Sequence, residues 1–178
     1  RAVAAAKDAF ENGPWGSMKL ADRLKYIYRI ADLIEAEAEE IAVLESLDTG
    51  LPISQTRNQV ARSAENFRFY AQMVRTRLHG DAYPVDDQFI NYTIYQPLGV
   101  VGLITPWNAP FMLETWKVAP ALATGNTVVL KPAELSPLTA NKLAELILKA
   151  GLPKGVFNVV HGFGETDGAA LTRHPDVK

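Results

Sequence analysis

Cysteine is absent from the 178 residues of this sequence, and histidine occurs only three times. Without cysteine the chain has no disulfide framework, no thiolate metal site and no thiol nucleophile. The histidines, His79, His161 and His174, lie too far apart in the chain to predict a metal cluster from their spacing. We interpret them as surface or turn residues, and no metal is predicted.

The sequence also lacks a strong excess of either charge and any long apolar run. A net charge of −2 argues against nucleic acid or an acidic membrane surface as the main partner. No segment reaches the length of a membrane span, and no basic stretch precedes an apolar one as in a signal peptide. With 48% hydrophobic and 21% charged residues, the composition is that of a globular protein, and we expect a cytoplasmic one.

The first half of the sequence is predicted to be helical, beginning with a helix from Ala2 to Phe10. Apolar residues then recur every three or four positions, which predicts one long amphipathic helix through Leu20, Leu24, Ile27, Ala31, Ile34, Ala38 and Ile41. Gly50 and Pro52 end this helix. The same spacing predicts a second long helix, ending at Gly80, through Val60, Ala64, Phe67, Ala71, Val74 and Leu78.

Residues 88–96, QFINYTIYQ, are rich in β-branched and aromatic side chains and predict a strand with two usable faces. Such a strand between helical regions extends a sheet or pairs with another subunit. We therefore divide the chain into a helical part at 1–82, a β arm at 83–97 that we expect to serve oligomerisation, and a part with a different pattern at 98–178.

From Gly99 onward the pattern is strand, turn and helix, repeated three times. The predicted strands are 100–104, 127–130 and 156–160, and helices follow at 111–123, at 136–149 and after 168. Ser136 is the predicted N-cap of the middle helix, with Pro137 in its first turn. This alternation predicts an α/β fold with a parallel sheet and right-handed crossovers. The three turns then lie at one edge of that sheet.

Asn108 occupies the first of these turns, between Pro106 and Pro110. Proline fixes its own φ and restricts its predecessor, so the turn is stiff. Ligands bind at the carboxyl ends of parallel strands, where a rigid amide can donate to an oxygen that gains charge. The alternative is an Asn whose side chain satisfies the backbone of its own turn.

The other two turns carry groups suited to a dinucleotide. Lys131 and Glu134 follow the second strand, and an amine with a carboxylate can bind the two hydroxyls of a ribose. A carboxylate there repels a 2′-phosphate, which favours NAD over NADP. The third turn contains Gly162, Gly164 and Gly168, one residue longer than the usual glycine fingerprint. The alternatives are a surface lysine, a glutamate at a helix N-terminus and an ordinary glycine turn.

In this order and spacing, the three turns resemble those of the aldehyde dehydrogenase superfamily. The resemblance extends through residues 119–130, APALATGNTVVL, and covers nearly the whole chain. Residues 63–71, 91–94 and 160–165 are similar to the 5-carboxymethyl-2-hydroxymuconate semialdehyde dehydrogenases. The resemblance implies a Rossmann-like, NAD-binding sheet and an incomplete aldehyde dehydrogenase fold.

The resemblance also implies roles for individual residues. Asn108 corresponds to the donor that stabilises the oxyanion formed from the aldehyde, and Lys131 and Glu134 correspond to the ribose contacts. The cofactor wall corresponds to Ile104, Thr105, Pro106 and Trp107, and the glycine turn to Gly162, Gly164 and Gly168. Met112, Leu113 and Trp116 correspond to the wall of the aldehyde tunnel.

Two further residues bear on the expected substrate. Ala109 stands where many members of the family have a bulky aromatic residue, which leaves room for a larger aldehyde. Counting along the second long helix places Arg62 at the tunnel, with Gln59 one turn away, and an Arg there can bind a substrate carboxylate through two hydrogen bonds. The alternative is a solvent-facing Arg.

The family's thiol nucleophile has no counterpart in a chain without cysteine. We therefore expect the N-terminal portion of a longer enzyme, inactive by itself, whose parent oxidises a carboxylated semialdehyde of aromatic catabolism as a homodimer or homotetramer. Oxidation of betaine aldehyde or of simple aliphatic aldehydes is an alternative in the same class. A truncated, non-catalytic nucleotide-binding or assembly module is an alternative of another class.

Overall fold

A computed structural model describes all 178 residues and contains seven α-helices and five strands. The helices are α1 (Ala2–Glu11), α2 (Leu20–Ala36), α3 (Ala38–Thr49), α4 (Ile53–Arg77), α5 (Pro110–Ala123), α6 (Leu138–Lys149) and α7 (Ala169–Thr172). The strands are β1 (Ala82–Pro84), β2 (Ile90–Tyr92), β3 (Val100–Ile104), β4 (Thr127–Lys131) and β5 (Phe157–Val159). None of the helices combines the length and apolar composition needed to span a membrane.

Strands β3, β4 and β5 form a parallel sheet in that order, as the repeated strand–helix pattern predicts. The central strand β4 is buried along its whole length, because the sheet is covered on both faces. Val100 and Val129 face α1 and α7, whereas Val101, Val128 and Leu130 face the larger helical layer. The prediction of an α/β fold with a parallel sheet is confirmed, and all three strands end at the same edge.

The larger hydrophobic core lies between the sheet and helices α2 to α6. It contains 29 buried residues, among them Trp15, Ile27, Phe67, Phe111 and Leu130. The indole N–H of Trp15 donates to the carbonyl of Asn126 at 3.0 Å, so its one polar group is satisfied inside the core. This core fixes α4 and α5 side by side, and both helices border the candidate site.

The single long helix predicted through Ile41 is wrong, because the chain turns at Glu37 between α2 and α3. The carboxylate of Glu37 forms ion pairs with Lys142 and Lys149 of α6, each at 2.8 Å, and Lys149 also donates a hydrogen bond to it. These two ammonium groups come from more than 100 positions later in the chain. The break therefore depends on tertiary ion pairs, which the apolar spacing of the helix cannot reveal.

Two other local predictions need correction. Ser136 is not an N-cap: its hydroxyl is buried without a partner, and α6 begins at Leu138. The strand predicted at 88–96 shortens to β2, which pairs only with β1 in an antiparallel hairpin. Residues 81–96 are all exposed, so no core packing extends the pairing. We call residues 81–96 the arm.

The C-terminal end of α5 is held by a buried cation. The guanidinium of Arg23, on α2, donates to the carbonyls of Ala123 and Met18 at 3.3 and 2.9 Å. It also lies over the ring of Trp15. A Cβ at Gly125 would collide with this guanidinium, and the φ of +95° at Gly125 suits glycine alone.

Candidate active site

The turn that carries Asn108 is fixed at both ends. The backbone N–H of Thr105 donates to the carbonyl of Lys131 at 3.2 Å, which ties the end of β3 to the end of β4. The side chain of Thr105 is buried, whereas Pro106, Trp107 and Asn108 are exposed. The amide of Asn108 makes no hydrogen bond to its own turn. The structure therefore does not contain the alternative, an Asn whose side chain satisfies the backbone of its own turn.

Lys131 lies at the centre of the strand edge, although only 2% of its surface is exposed. Its ammonium donates to the carbonyl of Pro132 at 2.7 Å and lies 3.7 Å from Glu134 Oε2. A Cβ built at Gly168 would contact the Lys131 side chain at 3.6 Å and Ile104 at 4.0 Å. Residues from all three strand ends thus meet around one lysine.

The glycine turn contains a short segment of π-helix from Gly164 to Gly168. The N–H of Gly168 donates to the carbonyl of Phe163, five residues earlier, at 3.2 Å. This wider turn accommodates the residue by which the sequence exceeds the usual fingerprint. At Gly162 a side chain would overlap the carboxylate of Asp167, whereas the space around Gly164 is open.

A cleft of about 210 Å³ lies beside this edge, and it is lined by Pro132, Glu134, Pro137, Asn141, His161 and Gly162. Glu134 and Gly162 are the two predicted cofactor residues in this wall. His161 and Asn141, whose side chains are joined by a hydrogen bond of 2.8 Å, were not predicted. His161 directly precedes the glycine turn, and from this position the sequence could have predicted it as a site residue.

A second, larger cleft of about 660 Å³ lies between α4 and α5 and is lined by Arg62, Asn66, Phe69, Tyr70, Pro106, Leu113, Trp116 and Lys117. Arg62, Leu113 and Trp116 are predicted substrate residues, and the structure brings them together. Pro106, predicted as part of the cofactor wall, also lines this cleft. Of the other predicted substrate residues, Ala109 is buried and Met112 half-buried, and neither lines the cleft.

Gln59 is also buried, and its side-chain oxygen has no partner. Further along α4, Asn66 donates to the hydroxyl of Thr115 at 2.9 Å and ties α4 to α5. The sequence missed Asn66, Phe69, Tyr70 and Lys117, which line the cleft beside Arg62 and Leu113. Their places in the cleft follow from how α4 packs against α5.

Three acidic residues lie behind the site. Glu45 accepts the N–H of Phe111 at 3.2 Å, and Asp48 accepts the N–H of Leu138 at 3.0 Å. Burial raises the pKa of Glu45 to about 7, against the lowering effect of the Phe111 hydrogen bond. Burial also raises the pKa of Glu114, and the charges of Glu45 and Asp48 add to this rise. Acids in amphipathic helices usually face solvent, so the sequence did not predict that these three lie behind the site.

A parallel sheet whose strand ends carry a buried lysine, a carboxylate and a glycine turn is an arrangement typical of nucleotide-binding α/β proteins. Comparisons with known proteins identify the family. A sequence model of the aldehyde dehydrogenase family matches residues 1–178. The chain belongs to the aldehyde dehydrogenase family, and the resemblance seen in its sequence is confirmed.

The chain is 52% identical over its full length to the 5-carboxymethyl-2-hydroxymuconate semialdehyde dehydrogenase of Escherichia coli, of which it covers 38%. Its fold matches HpcC from Thermus thermophilus with a TM-score of 0.95 at 55% identity, over 99% of this chain and 34% of that one. PnpE in complex with nicotinamide adenine dinucleotide matches with a TM-score of 0.93 at 47% identity, over 99% of this chain and 36% of that one. The chain thus spans less than two fifths of these proteins.

Proposed function

We propose that the whole protein to which this chain belongs oxidises an aldehyde to a carboxylic acid and transfers hydride to NAD. The observation that carries the proposal is the exposed amide of Asn108, which makes no hydrogen bond to its own turn and follows Pro106 of the larger cleft by two residues. An amide so placed can donate to an oxygen that becomes negatively charged when a nucleophile attacks a carbonyl. The thiol nucleophile of the family would come from elsewhere in the whole protein, since this chain has no cysteine.

The residues at the strand edge fit a nicotinamide dinucleotide. The ammonium of Lys131 has a single close acceptor, the Pro132 carbonyl, and keeps protons for a ribose hydroxyl. Glu134 is exposed toward the smaller cleft and can accept from the second hydroxyl. Open space at Gly164 admits a phosphate close to the backbone. A nicotinamide dinucleotide bound here would supply the hydride acceptor. Lys131 and Glu134 would hold a ribose of the cofactor, and Asn108 would bind the substrate oxygen.

A carboxylate at Glu134 supports NAD rather than NADP as the cofactor, because a 2′-phosphate there would meet a like charge. The name of PnpE, solved with nicotinamide adenine dinucleotide, agrees with this choice. Ile104, Thr105, Pro106 and Trp107 stay proposed members of the cofactor wall, and Gly162 and Gly168 of the phosphate turn.

For the substrate, we propose a semialdehyde that also carries a carboxylate. Arg62 lines the larger cleft with Leu113 and Trp116, and no acidic residue is part of that lining. Its guanidinium can therefore bind a carboxylate at the far end of the substrate while the aldehyde lies near Asn108. The semialdehyde dehydrogenase from Escherichia coli at 52% identity supports this assignment.

Steady-state kinetics of the whole protein test the anchor. We expect Arg62→Leu to raise KM about 10- to 100-fold for a carboxylated semialdehyde, because a charge-assisted hydrogen bond contributes roughly 1.5–3 kcal/mol. KM for a simple aliphatic aldehyde should stay within about twofold. Lys117→Leu, which removes the other cation of the same cleft, is the matched control and should have little effect on either KM. Equal changes for both substrates would reject the anchor and favour oxidation of simple aldehydes.

We further propose that the arm mediates homo-oligomerisation. Its large apolar side chains, Tyr83, Val85, Phe89, Ile90, Tyr92, Ile94 and Tyr95, are each more than half exposed. Strands of three residues with unpaired edges and such a surface are typical of segments that pair with another subunit. A homodimer or homotetramer is therefore the expected assembly of the whole protein.

A further inference from the structure

Helix α3 contacts the starts of two other helices, and these are the helices that follow two of the site turns. Helix α5 begins just after Asn108, and α6 begins four residues after Glu134. The first N–H groups of any helix have no partner within the helix and need an outside acceptor. Neither α5 nor α6 has a side-chain cap of its own.

Glu45 and Asp48 supply the missing acceptors from α3. Glu45 Oε1 accepts the N–H of Phe111 at 3.2 Å, and Asp48 Oδ2 accepts the N–H of Leu138 at 3.0 Å. The two acids are three positions apart, so they lie on one face of α3, where their side chains reach different partners. They are 66 and 90 positions away from the groups that they bind.

The environment of Glu45 argues against a role in stability alone. Glu45 is fully buried, its second oxygen has no partner, and no cation offsets its charge. The neighbouring charged groups are the acids Glu114 on α5 and Asp48 on α3. Burial raises the pKa of Glu45, so the ionised form weakens the fold at neutral pH. A buried acid that lowers stability and yet accepts the first free N–H of α5 points to a local role for its acceptor oxygen.

We propose that Glu45 and Asp48 are positioning residues, which hold the Asn108 turn and the Lys131–Glu134 turn, respectively, through the first N–H groups of α5 and α6. The inference rests on the proposed aldehyde oxidation. Glu45 binds the N–H of Phe111, three residues after Asn108, and so holds the turn that presents the oxyanion donor. Asp48 binds the N–H of Leu138, four residues after Glu134, and so holds the turn proposed to contact the ribose. One helix thereby sets the geometry of both halves of the site.

The first test is a split between kinetic parameters in the whole protein. Glu45→Met removes the acceptor but keeps the size of the side chain, and we expect kcat to fall about tenfold or more with KM for NAD unchanged. Asp48→Ala should instead raise KM for NAD about three- to tenfold with kcat nearly unchanged. Glu45→Gln and Asp48→Asn keep an acceptor oxygen and should restore near-normal values. Glu39→Gln, on the same helix but paired with Arg57, is the control and should change neither parameter.

Hydrogen–deuterium exchange of the same proteins supplies a readout that does not depend on activity. Glu45→Met should speed exchange at the N-terminus of α5 alone, and Asp48→Ala at the N-terminus of α6 alone. If the wild-type whole protein oxidises no aldehyde, the proposed function fails, and exchange still decides whether the two acids hold the two turns. If Glu45→Met does not fold, Glu45→Asp, which shortens the reach by one methylene, replaces it.

Three outcomes would overturn the proposal. The first is exchange at both helix starts that matches the wild type. The second is an equal loss of kcat and NAD affinity in both variants, because that result would show a general loss of structure. Loss of activity in Glu45→Gln equal to that in Glu45→Met would also contradict it, since the amide oxygen remains able to accept the Phe111 N–H.

Discussion

The two clefts of the site differ in size, in lining and in the elements that build them. The larger, of about 660 Å³, lies between helices α4 and α5 and presents aromatic rings and cations. The smaller, of about 210 Å³, lies at the ends of β4 and β5 and presents prolines, a glycine, an acid and a His–Asn pair. Side chains on helices define the first, whereas rigid turns define the second. We infer that the larger cleft selects its ligand mainly through helix side chains and the smaller one through a turn backbone together with the Glu134 carboxylate, and that the two can be altered independently.

The largest effect is expected from the residue that belongs to neither cleft. Asn108→Ala in the whole protein should lower kcat by roughly 10²- to 10³-fold, because one donor to the developing oxyanion is lost. KM for the aldehyde and for NAD should change little. Stopped-flow measurement of NADH formation checks this, with Asn141→Ala in the smaller cleft as the control. A kcat within about twofold of the wild type would exclude Asn108 from the chemistry.

An intermediate effect is expected in the smaller cleft. Glu134→Ala removes the acceptor for a ribose hydroxyl and the repulsion of a 2′-phosphate, so KM for NAD should rise about tenfold and the preference over NADP should shrink. KM for the aldehyde should not change. Glu165→Ala, which removes an exposed acid from the neighbouring turn, serves as the control. An unchanged ratio of NAD to NADP efficiency would argue that Glu134 does not contact the ribose.

The smallest effect is expected in the larger cleft. Trp116→Leu removes an aromatic wall but leaves Arg62 in place, so KM for the aldehyde should rise about threefold to tenfold. The KM for NAD should stay the same. If the clefts are independent, the double variant Glu134→Ala/Trp116→Leu shows the product of the two single effects. A clear departure from that product would show that the clefts are coupled.

The sequence predicted the sheet and its turns well because their signals are local. Strand β3 has the predicted bounds, since an apolar run between glycine and proline leaves little freedom in where it begins and ends. Asn108 and Lys131 were predicted as site residues because they lie at or just beyond the ends of such strands. Arg62 required a count along a helix face, and in the structure it lines the larger cleft, where its role stays a prediction.

The features that the sequence did not predict depend on distant partners. The break at Glu37 is made by Lys142 and Lys149, and nothing in the residues around Glu37 indicates it. The start of α6 is capped by Asp48 rather than by Ser136, because the backbone of α6 lies within reach of α3. Glu45 is buried by the packing of α3 against its neighbours, although its spacing is that of any helix acid.

Buried charges at the two ends of α5 have a consequence for its electrostatic field. The N-terminal end of a helix is equivalent to about +0.5 of an elementary charge and the C-terminal end to about −0.5. Glu45 lies at the first end and Arg23 at the second, so each buried side chain has the sign opposite to the end that it meets. This compensation holds while Glu45 is ionised, and because burial raises the pKa of Glu45 to about 7, its protonation removes the compensation at the N-terminal end. The electrostatic field at the Asn108 turn is therefore expected to depend on pH near neutrality.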